Sequence, residues 1–252
     1  MALRNDLIAR MNAVLESNAF KDYTLNGLQV EGCPEVNRVM TGVTACQALL
    51  DEAVAWQADM VLVHHGYFWK NEPPEITGLR RCRLGTLMAH DINLVAYHLP
   101  LDAHLELGNN AQLGAMMGWH RTHVLDGVPG RGLLHAGRTS APLTHDALAT
   151  QIEHTLHRKP LIIQAHDRPI EKVCWCTGAA QDMIEHAWHH GADVFVSGEI
   201  SERTTHLARE LGISYVAAGH HATERAGIRE LGNWLAQDSG IEHRFVDIDN
   251  PV

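Results

Sequence analysis

The chain has 252 residues, 45% of them hydrophobic, enough for one large or two modest cores; a disordered chain and a disulfide-stapled miniature are both excluded. A formal net charge of −10 without any basic run argues against a nucleic-acid partner, because phosphate binding needs concentrated positive surface. Five scattered cysteines without a CxxC pair read as reduced thiols, and with no apolar run of ~18 residues and no basic n-region a cytoplasmic protein free of the membrane is expected. Apolar positions Leu3, Leu7, Ile8, Met11, Val14 and Leu15 then recur at helical spacing. Residues 22–32 are polar, contain Asn26-Gly27 and predict a turn. A strand over 39–43 leads into a helix with Leu49, Leu50, Ala53 and Val54 on one side, and a buried strand over 60–63 ends in His64-His65-Gly66. Residues 67–83, with Pro73 and Pro74 in their middle, read as a loop. A helix over 84–90 and a strand over 93–98 follow, the strand running on to Asp102. This alternation predicts an α/β protein of βαβ character with largely parallel strands.

From about residue 130 the pattern restarts, with a strand near 132–136, a helix near 144–157 and a strand at 160–164. A shift of 134 positions lays Arg38 on Lys172, Val39 on Val173, Gln47 on Gln181, Asp51 on Glu185 and Ala58-Asp59 on Ala192-Asp193. Further on, His98 is followed four residues later by Asp102, as His220 is by Glu224. An internal duplication is therefore expected, giving two related lobes with mixed, largely parallel sheets. The first lobe, 1–128, carries His64, His65 and Asp102. The second, 129–252, carries His220 and Glu224, and its C-terminal segment is free to pack back onto the first.

In open α/β sheets ligands collect beyond the carboxyl ends of the strands, where loops converge on one crevice. Three strands here end in His or acidic groups: VLV before His64-His65, LVAY before His98 and Asp102, and YVAAG before His220 and Glu224. Imidazole mixed with carboxylate suits zinc, iron or manganese, whereas an all-oxygen set would suit calcium or magnesium. Five donors, His64, His65, Asp102, His220 and Glu224, exceed what one tetrahedral ion needs and match a pair of divalent transition-metal ions. Asp102 and Glu224 would bridge the ions and accept a proton. His220 and Glu224, at i and i+4, can share one helix face.

Other residues are candidates to support the site or meet a substrate. His98 would orient Asp102 or a water, or ligate directly. Tyr67, within Tyr67-Phe68-Trp69, would stack on a planar base or anchor a hydrophobic contact. Asn109, in Gly108-Asn109-Asn110, would offer an amide or simply precede a helix. Glu199, in the strand end Ser197-Gly198-Glu199 equivalent to His64-His65, and His206 just beyond it, are further candidates to reach the site. His189-His190 suits a helix C-terminus electrostatically and reads as structural.

The strings GVTACQALLDEA, VLVHHGYFW, HLPLDAH, GNN, SGE and GHHATER, taken in this order, resemble the Nif-three-like family, whose members are called GTP cyclohydrolase I type 2 homologues. The likeness runs from Asn26 to the final helix, and the absence of a long central insertion resembles the compact bacterial form. It implies a two-lobed α/β subunit, a dinuclear metal centre in the cleft between the lobes, and a ring-shaped, toroidal homohexamer. Carried over residue by residue, the family's ligands fall on the same five positions.

Two functions are expected from this set. One is a metal-dependent hydrolase of a small nucleotide-like substrate; the family's name implies hydrolytic opening of the guanine ring of GTP. The other is a non-enzymatic metal chaperone or insertion factor, in which the same ligands pass an ion to a protein acceptor.

Overall fold

In the computed structural model, which describes residues 2–252, the chain opens with β1 (Ala2–Leu3) and α1 (Arg4–Val14). Strands β2 (Gly27–Val30), β3 (Glu35–Val36) and β4 (Arg38–Thr44) precede α2 (Gln47–Ala55), β5 (Met60–His65), α3 (Gly78–Ala89) and β6 (Asn93–Ala96). After α4 (Leu99–Ala103) and α5 (Asn109–Met116) come β7 (His120–Val124), β8 (His135–Leu143), α6 (His145–Leu156) and β9 (Leu161–Ile163). The chain continues through β10 (Ile170–Cys176), α7 (Ile184–His189), β11 (Val194–Ser197) and α8 (Glu202–Leu211). It finishes with β12 (Ser214–Ala217), α9 (His220–Ser239) and β13 (Glu242–Phe245).

Two compact units result, one from the residues up to Leu101 with Gly227–Asp249, the other from Asp102–Ala226 with Asn250–Val252. The chain thus changes unit after Leu101 and not at the 128/129 boundary read from the sequence, which places Asp102 in the second unit. The reason is packing. Strand β7 pairs with β8, and α5 lies so close to Trp175 that a Cβ on Gly114 would sit 2.7 Å from the indole.

The first unit is built on a five-stranded sheet of order β13-β4-β5-β6-β2, parallel except for β2 against β6. The runs from Val39 to Val43, Met60 to Val63 and Asn93 to Ala96 are buried without alternation, the pattern of parallel strands covered on both faces. Two sequence expectations are corrected here. Gly27–Val30, read as part of a turn, forms the edge strand β2; Gly27, at φ +98°, starts it. Helix α3 begins at Gly78, inside the predicted 67–83 loop, because its first turns expose Leu79 and Arg81 and hide the helical period.

The second unit carries a six-stranded mixed sheet of order β7-β8-β10-β11-β12-β9, in which β10, β11 and β12 run parallel. Its core gathers Leu113, Trp119, Ile152, Trp175 and Val196. Thr144 caps α6 by accepting the Ala147 N–H, and Ser201 with Thr204 forms a capping box on α8.

The duplication is visible in matching hydrogen bonds. Asp59 Oδ2 accepts the N–H groups of Asn37 and Arg38, and Asp193 Oδ2 those of Glu171 and Lys172. Val39 pairs with Met60 as Val173 pairs with Val194, and Met60 with Asn93 as Val194 with Ser214. The ladders agree as far as Tyr97 and Ala218, whose N–H groups bond to Val63 and Ser197 respectively. One step further, His98 corresponds to Gly219, and the helices α4 and α9 start together at Leu99 and His220. His98/Asp102 and His220/Glu224 therefore share a spacing but stand one residue out of register, which counting from the histidines alone concealed. Among the described residues no helix is long and apolar enough to cross a membrane.

Candidate functional site

In the first unit β5 carries both histidines of its C-terminal dyad. His64 is fully buried and His65 partly so, with ring centroids 4.5 Å apart. Gly66 follows because no side chain fits: a Cβ would lie 2.2 Å from Gln29 Oε1, which instead accepts the Tyr67 N–H at 2.6 Å. His98, just past β6, completes a cluster in which one ring nitrogen of each of His64, His65 and His98 lies within 4.8 Å of the others. These three could hold a metal ion.

Each of these rings is held through Nδ1. His64 Nδ1 donates to the Tyr97 carbonyl at 2.9 Å, His98 Nδ1 to Asp22 Oδ1 at 2.9 Å, and His65 Nδ1 lies 3.3 Å from the Thr44 hydroxyl. A carbonyl and an ionised carboxylate only accept, so His64 and His98 carry their proton on Nδ1 and present a lone pair at Nε2, the usual state of a ligating histidine. Burial pushes the Asp22 carboxyl up, but hydrogen bonds from His98, Asn26 and the Leu99 N–H outweigh it, leaving the pKa at about 2.

Tyr67 does not stand where a stacking residue would. It is 7% exposed, its hydroxyl donates to the Ala45 carbonyl, and burial pushes its pKa up. Trp69 and Tyr23 provide the aromatic surface instead, with ring centroids each 5.1 Å from that of His98. Tyr23 and Asp22 were missed in the sequence because both lie in the polar segment 22–32, where no local pattern separates a ligand-orienting carboxylate from a turn residue.

In the second unit His220 opens α9 and Glu224 follows one turn later. His220 Nε2 lies 3.2 Å from Glu224 Oε2, while its Nδ1 donates to Glu199 Oε1 at 2.7 Å. Burial works against charge on this imidazole, yet the hydrogen bonds and charges of Glu224 and Glu199 hold its pKa up at about 9. Glu199 thus orients His220 from the end of β11. Asp102 is buried; its Oδ1 accepts from Asn109 Nδ2 at 2.8 Å and from the Thr177 hydroxyl at 3.4 Å. Asn109 accordingly positions a carboxylate. Burial, with the charges of Asp102 and Glu224, pushes the Cys176 thiol well above its ordinary range, so both carboxylates act on one buried point. His206 lies on α8 with Nε2 paired to Glu202 at 3.0 Å, and no described contact joins it to His220, Glu224 or Asp102.

The His, Asp and Glu groups could hold a metal ion. Imidazole nitrogens with an assigned tautomer stand in one unit, carboxylates with an imidazole in the other. Gly178, at φ +70°, leaves a cradle beside the second set: a Cβ there would lie 2.2 Å from Glu224 Oε1 and 3.3 Å from His220 Nε2.

The chain is similar to known proteins over nearly its whole length. Residues 2–251 match the family model described as Duf34/NIF3 (NGG1p interacting factor 3). A Vibrio cholerae protein named GTP cyclohydrolase 1 type 2 homolog is 53% identical over 248 residues, covering 98% of each chain. A solved structure of protein ybgI, described as of unknown function, superposes with a TM-score of 0.95 at 49% identity over the whole of both chains. A Thermus thermophilus crystal structure gives a TM-score of 0.91 at 32% identity, again over both whole chains.

Proposed function

Because the chain belongs to the Duf34/NIF3 family, we propose that His64, His65, Asp102, His220 and Glu224 hold two divalent transition-metal ions and that the protein is a metal-dependent hydrolase of a small nucleotide-like substrate. The observation that carries this reading is the orientation of the donors within each unit: each candidate histidine is engaged at Nδ1, and Glu224 and Asp102 are buried carboxylates. Zinc, iron and manganese all suit such donors. Bound there, the ions would supply Lewis-acid activation of water and of the electrophile.

The chain's own groups do the rest. Glu224 and Asp102 would accept a proton, while Glu199 orients His220 and Asn109 orients Asp102 through their hydrogen bonds. Trp69 and the half-exposed Tyr23 offer a surface on which a planar base can stack. The name shared by relatives such as the Vibrio cholerae protein makes GTP the first substrate to examine, with release of formate from the guanine ring as its signature. Assembly as a toroidal homohexamer in the cytoplasm belongs to the same proposal, and exposed apolar side chains such as Leu79, Met88 and Leu105 suit self-association.

The test combines elemental analysis of protein purified without added metal with a nucleotide panel led by GTP, scored for formate and for ultraviolet change. Turnover that disappears in Glu224→Ala is expected. Absence of turnover above the Glu224→Ala level across the panel removes the hydrolase, and metal that exchanges readily onto a protein acceptor would then favour a carrier.

A further inference from the structure

We propose that Asp22 is a positioning residue that fixes the His98 ring so that its Nε2 joins those of His64 and His65 as a third imidazole donor, a role that rests on the metal-centre reading above. The Asp22 side chain is 2% exposed. Its Oδ1 accepts from His98 Nδ1 at 2.9 Å and from the Tyr23 N–H at 2.7 Å; its Oδ2 accepts from Asn26 Nδ2 at 3.0 Å and from the Leu99 N–H at 3.0 Å. Asn26 in turn accepts the backbone N–H of His98 at 2.8 Å. Both the ring of His98 and its main chain are therefore tied to one short segment 72–77 positions away.

Burying a carboxylate is unfavourable unless its hydrogen bonds compensate, and here four donors converge on it. The arrangement has a chemical consequence. An ionised carboxylate cannot donate, so it imposes the Nδ1–H tautomer on His98 and leaves Nε2 as the nucleophilic nitrogen. One ring nitrogen of each of His64, His65 and His98 lies within 4.8 Å of the others, and with His98 Nδ1 bonded to Asp22 the nitrogen left to ligate is Nε2. Rotation of the ring is opposed on its other sides by Tyr23 and Trp69, which meet it edge-on at interplanar angles of 70° and 81°. A carboxylate that holds a histidine by Nδ1 while Nε2 ligates is a recurrent way of raising ligand basicity and fixing ring orientation.

The experiment uses the full-length, metal-stripped protein and Co(II) as probe, with Asp22→Asn, His98→Gln and, as a control, His65→Ala. Competition against a chelator should show Co(II) affinity falling by roughly 10–100-fold in Asp22→Asn and His98→Gln, with a changed visible d–d spectrum. Long-range proton–nitrogen NMR of the metal-free protein should show the Nδ1–H tautomer of His98 in the wild type and its loss in Asp22→Asn. Thermal melts of the metal-free proteins identify a variant that fails to fold, in which case His98→Gln, which keeps a donor for Asp22, carries the test. Wild-type affinity and an unaltered spectrum in both variants, with His65→Ala impaired, would overturn the positioning role alone. A wild type that takes up no Co(II) would overturn the metal-centre reading itself.

Discussion

The side-chain amide of Asn109 donates to Oδ1 of Asp102 at 2.8 Å, from a position with no exposed surface. Asn110, its neighbour, donates to the Asp102 carbonyl and accepts the Thr177 N–H, so two adjacent amides anchor one acidic residue by side chain and backbone. Asn109→Ala should leave that buried carboxylate short of a donor. A destabilisation of about 1–3 kcal/mol is expected, with metal affinity reduced by roughly 10-fold or more. Chemical denaturation and chelator competition check both; unchanged metal affinity would mean that Asn109 serves packing only.

Gly178 offers a sharper probe, since alanine there changes no donor. The added Cβ would meet Glu224 Oε1 at 2.2 Å and would occupy a backbone with φ +70°. Gly178→Ala should displace Glu224, weaken metal binding and destabilise the fold by about 1–3 kcal/mol. Wild-type metal affinity in this variant would show that Glu224 can move without consequence.

The matched roles of Asp59 and Asp193 predict matched costs. Each carboxylate accepts two backbone N–H groups at the start of the corresponding strand. Asp59→Ala and Asp193→Ala should each lose about 1.5–3 kcal/mol, by the usual worth of hydrogen bonds to a charged acceptor. Urea unfolding of the two variants is the measurement, and a large loss in one with none in the other would contradict equivalence of the two copies.

His135 predicts a pH dependence that arises outside the candidate ligands themselves. The residue is 4% exposed and packs against Trp175; burial, aided by the charge of His123, holds its pKa down at about 4 despite the hydrogen bond its ring donates to the Gly132 carbonyl, which works the other way. Because the folded pKa lies below the unfolded value of about 6.5, the unfolded chain takes up the proton first. Stability from this residue is intact above about pH 6.5, falls between there and pH 4, and levels off below, by up to about 3 kcal/mol. Unfolding free energies of the wild type and His135→Gln at pH 7 and pH 5 should therefore converge on acidification; parallel losses would exclude His135 as a source.

Local pattern carries some parts of this protein and not others. The parallel strands were legible because a strand covered on both faces must be apolar throughout, as β5 and β6 are. Strand β2 and the early turns of α3 were not, since an edge strand of four residues and an exposed, arginine-bearing helix start both look like loop. Tyr67 stands two residues after His65, yet side-chain direction at that position is settled by the hydrogen bond to Ala45. The apparent alignment of His98 with His220 failed by one residue because spacing along the chain carries no information about ladder register.

By itself the sequence determined the α/β class, the repeated strand–helix–Ala-Asp–strand unit and the gathering of His and acidic residues at strand ends, because hydrophobic burial and strand termination are short-range properties read within a few residues. Tertiary structure alone decided which groups hold those side chains: Asp22 for His98 and the Tyr97 carbonyl for His64, partners 76 and 33 positions distant. It also decided that Asp102 joins the second unit and that Gly227–Asp249 returns to the first, where β13 pairs with β4. The physical reason is common to all of these: a hydrogen-bond acceptor or a sheet edge is chosen by proximity in the folded chain, and polar residues in a loop carry no local mark of the partner they will meet.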